Sequence, residues 1–292
     1  MSDLLEVPTP DGRIVEVLTG GDPDGYGLLY HGGSPSAVAE YAPLDEAARS
    51  LGLRLVSYSR PGYGGSTPRP TAGRYADDVE ESVLVLDHLG IGDFVTLGWS
   101  GGGPRALACA ALLPDRCRAA VSLAGVAPYG ADDLDWFAGM AEENHEEYHA
   151  AEQGREVYGS YLEENFLPIL SATPEELTEA MGGLLSPVDQ ATLDADWLSR
   201  TFNRAGAQGV VGVRDDGIAA VSPWGFDLAD IRVPVAVWQG REDAMVPYAH
   251  GEWLATHVPG AQGHFFEDEG HISLINRIDE ILADLKRLAG LS

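Results

Sequence analysis

Ser100 stands in the pentapeptide Gly98-Trp99-Ser100-Gly101-Gly102, with a glycine two residues away on either side. The residues before it, 94–97, are typical of a buried strand, and a helix is predicted over residues 103–113. Pro104 falls in the first turn of that helix, where no amide hydrogen is missed. A serine held on a sharp strand-to-helix turn needs such small neighbours. This context makes Ser100 a candidate nucleophile.

A serine hydroxyl needs a base to take its proton and a third group to orient that base. In an open α/β sheet, functional groups collect beyond the carboxyl ends of the strands. His271 follows the last predicted strand, 262–266, and is predicted as the general base, whereas His264 lies at the start of that strand. Asp243 follows the predicted strand 233–238 and is predicted as the orienting acid, with Glu242 as the alternative.

The oxyanion of acyl transfer needs preorganised donors. The backbone amides of Gly101, directly after the nucleophile, and of Gly33, in His31-Gly32-Gly33-Ser34-Pro35, are predicted for this role. A plain glycine-rich turn is the alternative for Gly33.

A rival motif occupies residues 145–149, where His145-Glu146-Glu147-Tyr148-His149 matches the H-E-x-x-H pattern of zinc peptidases. No third ligand is identifiable, and the glutamates around the histidines, among them Glu147, predict a solvated helix face. We therefore expect neither a metal nor a cofactor.

The elements around these residues alternate between strand and helix up to about residue 125 and again after residue 230, which predicts an α/β fold with a mostly parallel sheet covered on both faces. Between them, helix formers and glycine or proline breaks predict a helical insertion. The expected domains are a core of residues 1–125 and 226–292, and an insertion of residues 126–225.

The chain of 292 residues has a formal net charge of −28, which argues against nucleic acids and anionic lipid surfaces as partners. Residues 127–228 carry 20 Asp or Glu against four Arg, so a small neutral or apolar acyl substrate is expected rather than an anionic one such as acyl-CoA. No signal peptide or long apolar stretch is evident, which predicts a cytoplasmic protein without a membrane span. The two cysteines, Cys109 and Cys117, are predicted to be inert thiols. The sequence does not indicate an oligomeric state.

Five segments resemble the successive signature loops of the α/β-hydrolase superfamily, in its order Ser, Asp, His: residues 31–33, 59–66, 98–102, 240–247 and 270–271. The resemblance implies the α/β-hydrolase fold, a helical cap formed by the insertion, and a chiefly structural role for the loop Arg60–Ser66. Ser100 replaces the aspartate of the similar dehalogenases and epoxide hydrolases, which disfavours those activities. Ser34-Pro35 departs from the proline iminopeptidase pattern.

Together these observations predict a serine hydrolase that cleaves a carboxylic ester, thioester or lactone through an acyl-enzyme on Ser100. Two alternatives stay open. One is an aminopeptidase-like amide hydrolase, and the other is a ligand-binding homologue with slow or no turnover.

Overall fold

A computed structural model describes residues 3–291 of the chain, in which eight strands form one sheet. The strands are β1 (Asp3–Pro8), β2 (Ile14–Gly21), β3 (Tyr26–His31), β4 (Leu53–Tyr58), β5 (Phe94–Trp99), β6 (Cys117–Leu123), β7 (Val235–Gly240) and β8 (Gln262–Phe266). Their order in the sheet is β1-β2-β4-β3-β5-β6-β7-β8. β2 runs antiparallel to β1 and β4, and all other neighbours are parallel. The predicted α/β fold with a mostly parallel sheet is confirmed.

Helices cover both faces of this sheet. They are α1 (Ala42–Ser50), α2 (Val79–His88), α3 (Gly103–Leu112), α10 (Tyr248–His257) and α11 (Ile278–Leu288). Apolar residues of α1 and α11 share one buried cluster, and those of α2, α3 and α10 share another. Successive strand residues point to opposite faces, so Leu28 belongs to the first cluster and Leu29 to the second. Central strands therefore carry continuous apolar runs rather than alternating patterns.

Six helices lie between β6 and β7. They are α4 (Glu142–Glu152), α5 (Arg155–Asn165), α6 (Pro174–Met181), α7 (Pro187–Thr192), α8 (Ala195–Ala205) and α9 (Val211–Ala220). A separate buried cluster joins α4, α5, α8 and α9, with Tyr158, Leu162 and Val213 among its members. Tyr63, from the loop after β4, packs into the same cluster and links these helices to the loops of the sheet. Leu177 of α6 belongs instead to the cluster shared by α1 and α11.

Three local predictions differ from the structure. The sequence does not predict β1, because its apolar and polar residues do not alternate and most of its side chains are exposed at the edge of the sheet. Helix formers predict a helix over about residues 37–51, but the helix begins only at Ala42, since Pro43 is tolerated only in the first turn. The sequence also predicts a terminal helix from Ile272, but this segment starts as the 3₁₀ turn Ser273–Arg277 and becomes α-helical at Ile278.

Within residues 3–291, no helix has both the length and the apolar character that a membrane crossing requires.

Candidate active site

Ser100 sits at the junction of β5 and α3 with a backbone φ of 54°, in the left-handed region that residues with a side chain rarely adopt. The chain makes a 3₁₀ turn over Ser100–Gly102 and continues directly into α3. A Cβ on Gly98 would lie 2.1 Å from the carbonyl oxygen of Gly102, and one on Gly102 would lie 2.0 Å from that of His31. The two glycines are therefore required for this turn, which lifts Ser100 out of the strand.

His271 and Asp243 meet at the same edge of the sheet, beyond the ends of β8 and β7. The distance between His271 Nδ1 and Asp243 Oδ2 is 2.9 Å, and both side chains are buried. Asp243 Oδ1 accepts the backbone amides of Met245 and Val246, and Gln239 Nε2 donates to Oδ2. A carboxylate can only accept, so Nδ1 carries the proton and Nε2 is left with its lone pair.

The pKa of His271 is raised above its ordinary value. Burial by itself would lower it, but the charge of Asp243 and its hydrogen bond to the ring outweigh that effect, and Asp189 adds to it. A negative charge beside an imidazole stabilises the imidazolium. The site is thus built to accept a proton on His271.

Ser100 and His271 line one small cavity of about 30 Å³, together with Gly33. A Cβ on Gly33 would lie 3.2 Å from the Cβ of Ser100, and one on Gly101 would lie 2.6 Å from Ser34 Oγ. The structure therefore brings all five sequence-predicted residues, Ser100, Asp243, His271, Gly33 and Gly101, to one place.

Asp216, on α9, lies at the centre of a buried ionic cluster behind this site. Both Arg60 and Arg105 donate to its carboxylate, the closest contacts being 2.6 Å for each arginine. Tyr63 donates to Oδ2 at 2.9 Å, and Ser34 Oγ also donates to that oxygen. Burial would raise the pKa of Asp216, but the charges of Arg105 and Arg60 hold it at about 2. We call Asp216, Arg60, Arg105, Tyr63 and Ser34 the Asp216 cluster.

The two arginines of this cluster also hold the two backbone segments beside Ser100. Arg60 donates to the carbonyl oxygens of Gly32, at 2.9 Å, and Gly33, at 2.7 Å. Arg105 donates to that of Gly101 at 2.5 Å. One carboxylate thus ties together both candidate oxyanion segments.

A second buried carboxylate missed at the sequence level, Asp189 of α7, accepts the backbone amide of His271 at 2.9 Å. Asp189 and Asp216 both lie in the acidic insertion and resemble its many exposed acids in sequence. No local pattern distinguishes them, because the backbone amide of His271 and the guanidinium group of Arg105, which they bind, are more than 80 positions away in the chain.

The other sequence candidates lie elsewhere. Glu242 has an exposed side chain. His264 lies in the middle of β8, where its ring stacks on Trp238.

In the rival motif, His145 and His149 both contact the ring of Phe137. No three His, Cys, Asp or Glu side chains in the described part of the chain are grouped as metal ligands would be. The expectation that Glu147 is solvated is wrong: it accepts a hydrogen bond from Tyr158 at 2.6 Å, and burial raises its pKa.

A larger cavity of about 370 Å³ extends from Ser100 and Gly101 into the helices between β6 and β7. Its walls are mainly apolar and aromatic, and they include Tyr148, Tyr161 and Phe166. The lining that the structure describes contains no lysine or arginine, but it does contain the carboxylates Glu143, Glu146, Glu147 and Asp216. Arg60 and Arg105 pair with Asp216, so the other three give this cavity its negative character.

Comparison with known families gives one match over most of the chain. The family profile described as alpha/beta hydrolase fold matches residues 28–277.

Among curated proteins, the non-heme chloroperoxidase of Streptomyces lividans is 30% identical over 250 residues, which cover 83% of this chain and 83% of that protein. The pimeloyl-[acyl-carrier protein] methyl ester esterase of Aromatoleum aromaticum is 28% identical over 251 residues, 84% of this chain and 88% of its own length. Among solved structures, a thermophilic esterase from Thermogutta terrifontis superposes with a TM-score of 0.70 at 18% identity, covering 98% of this chain and 99% of that one.

Replacing Asp216 with Asn should destabilise the protein strongly. The substitution keeps the shape of the side chain, but it leaves the buried Arg60 without its carboxylate partner and Arg105 with Asp78 alone. Loss of one partner of a buried ion pair typically costs about 3–5 kcal/mol of unfolding free energy. Urea unfolding measures this loss. Asp215→Asn is the matched control, because its carboxylate pairs with the more exposed Arg155 and Arg214 and should cost clearly less. Equal losses in the two variants would refute the importance of the Asp216 cluster.

Proposed function

Because the chain belongs to the alpha/beta hydrolase fold family and is a hydrolase, we propose that it cleaves a carboxylic ester, thioester or lactone through an acyl-enzyme on Ser100. The observation that carries this proposal is the hydrogen bond between His271 and Asp243, on the cavity that Ser100 also lines. The esterase named among the curated relatives supports an ester bond as the target.

In the proposed first half of the reaction, Nε2 of His271 takes the proton of the Ser100 hydroxyl while the serine oxygen attacks the substrate carbonyl carbon. The carbonyl oxygen becomes negative and accepts hydrogen bonds from the backbone amides of Gly33 and Gly101. His271 then gives its proton to the departing alcohol, thiol or ring oxygen. The carbonyl reforms and leaves an acyl group on Ser100.

In the second half, His271 takes a proton from water, and the hydroxide formed attacks the acyl carbon. His271 returns that proton to Ser100, and the carboxylic acid leaves. Asp243 holds the imidazole in one tautomer and stabilises its charged form throughout. Apart from the substrate and water, this cycle uses only groups of the chain, so we propose that no cofactor or metal takes part.

We propose that residues 126–225 form a helical cap over the core made by residues 1–125 and 226–292. Support comes from the large cavity, whose walls combine residues of α4, α5, α6 and α8 with Ser100 and Gly101. The cap would therefore select the substrate, while the core supplies the chemistry.

We propose that the substrate is a small neutral or apolar acyl compound. The apolar and aromatic walls favour apolar groups, and the glutamates that line the large cavity disfavour an anion in a site of low dielectric constant. An amide substrate, as for an aminopeptidase, requires protonation of a poorer leaving group and is the less favoured alternative.

Ser100→Ala should abolish labelling by a fluorophosphonate and reduce kcat for a short neutral ester by at least about 10⁴-fold, because the nucleophile is lost. Mass spectrometry of the labelled peptide locates the adduct, and Ser160→Ala, an exposed serine, is the control that should label normally. A wild-type protein that neither labels at Ser100 nor turns over esters or amides would instead be the ligand-binding homologue.

The pH dependence of kcat/KM should report His271. The base works only when neutral, and its pKa is raised above 6.5, so activity should fall with decreasing pH through a midpoint above 6.5. A pH series with an uncharged ester measures this midpoint. A midpoint at or below 6.5 contradicts the proposed pairing of Asp243 with His271.

Two esters of equal length, one ending in a methyl group and one in a carboxylate, test the polarity of the cavity. The neutral ester should have a kcat/KM about tenfold higher, or more, than that of the anionic ester. Added salt and the variant Glu147→Gln should each reduce this difference in kcat/KM. Equal values for both esters would overturn the proposed preference without affecting the role of Ser100.

A further inference from the structure

Asp189 is a fully buried carboxylate on α7, and it reaches out of the inserted helices to the loop that carries His271. Its Oδ2 accepts the backbone amide of His271 at 2.9 Å. Its Oδ1 accepts the amides of Ile272, at 2.7 Å, and Ser273, at 2.8 Å. Ser186 Oγ donates to Oδ2 at 3.0 Å and completes the set.

These contacts fix the backbone at the point where His271 leaves it. Three successive amides at the start of the 3₁₀ turn Ser273–Arg277 have their hydrogens bound by one carboxylate, as at a capped helix N-terminus. The approach is close, because a Cβ on Gly270 would lie 2.4 Å from Asp189 Oδ2. The loop can therefore shift little while α7 is in place.

The carboxylate also contributes to the charge around the imidazole. The charged groups that act on His271 are Asp243, through the ring nitrogen, and Asp189, through space, and both favour the protonated ring against the effect of burial. Asp243 comes from the sheet domain, whereas Asp189 comes from the helices between β6 and β7. The base is thus held from both parts of the fold.

We propose that Asp189 is a positioning residue that holds the backbone of His271 in its working place and makes the base depend on the docking of α7. The inference rests on the proposed role of His271 as the general base. It adds a requirement beyond Ser100, His271 and Asp243. A carboxylate from the inserted helices must accept the backbone amide of the base.

The test is Asp189→Asn. The NH₂ group of the asparagine side chain replaces one carboxylate oxygen and cannot accept a hydrogen bond from the backbone N–H groups that Asp189 binds. We expect kcat to fall about 10–100-fold with a smaller change in KM, since a base displaced by a fraction of an ångström loses its alignment with Ser100. The acidic limb of kcat/KM should also move to lower pH, because removing a negative charge lowers the pKa of His271. A purely structural role would lower the unfolding midpoint and leave that limb unmoved, and this result would overturn the proposal.

Asp194→Asn is the matched control. It is the same substitution five positions away on the same inserted segment, where the carboxylate accepts the amide of Trp197 at 2.9 Å. This variant should keep the wild-type kcat and acidic limb. If the acidic limb of kcat/KM shifts as far in this variant as in Asp189→Asn, the loss of any negative charge in the inserted segment explains the shift. That result would refute a specific role of Asp189.

Gly270→Ala keeps the proposal testable if Asp189→Asn does not fold. The added methyl group pushes the carboxylate away from the amides but preserves its charge, so kcat should fall with little movement of the acidic limb. An unchanged kcat would overturn the proposal. Where Asp189→Ala folds, Gly270→Ala should cost nothing further in that background, because the group it displaces is gone.

Titration of the His271 ring by NMR, assigned with His271→Gln, separates this inference from the proposed function. A lower pKa in Asp189→Asn supports the coupling even if the wild-type protein neither labels nor hydrolyses esters, in which case the proposed function alone fails. An unchanged pKa in an active enzyme overturns the coupling alone.

Discussion

The contact between Asp216 and the guanidinium groups of Arg60 and Arg105 is the constraint on which the site depends. A buried carboxylate between two buried arginines is stable only if every charge is paired and hydrogen-bonded. Arg60 also donates to the carbonyl oxygens of Gly32 and Gly33 beside Ser100. Arg105 also donates to the carbonyl oxygen of Gly101 and to the buried carboxylate of Asp78. The same two arginines therefore neutralise the buried charge of Asp216 and fix the backbone of the candidate oxyanion segments. The resemblance implied a chiefly structural role for the loop that contains Arg60, and the contacts of Arg60 explain how that loop also holds the site.

The parallel sheet supplies a second constraint. Strands β3, β5, β7 and β8 all end at the same edge, so the loops after them meet there without any long-range signal in the sequence. This is why Gly33, Ser100, Asp243 and His271 could be grouped from their positions after predicted strands. Because the strands are parallel, the four residues lie close together although each is predicted from a separate local pattern.

The sequence predicted less where a residue acts through distant partners. The predicted strand over residues 262–266 has the same bounds in the structure, because the turns that flank it are local signals. Asp189 and Glu147 could not be distinguished from exposed acids, since burial and partners depend on how helices pack rather than on neighbours in sequence. β1 was missed for the same reason: an edge strand with exposed side chains has little pattern of its own.

The position of the two buried acids limits how this fold can be rebuilt. Asp189 and Asp216 both lie between β6 and β7, yet they accept hydrogen bonds from outside this segment. Asp189 accepts from the loop after β8, and Asp216 accepts from the loop after β4 and from α3. A chimera that receives the corresponding helices from a relative would keep Ser100, Asp243 and His271. Unless the graft carried acids at equivalent places, it would lose the hydrogen bonds that hold the backbone of His271, the proposed base, and the candidate oxyanion segments. By contrast, within residues 3–291 the side chains of Tyr161 and Phe166 on the cavity wall make no such hydrogen bonds to the sheet or its loops. If the large cavity binds the substrate as proposed, single substitutions on its wall can change the substrate range without disturbing the site, whereas exchange of the whole insertion cannot.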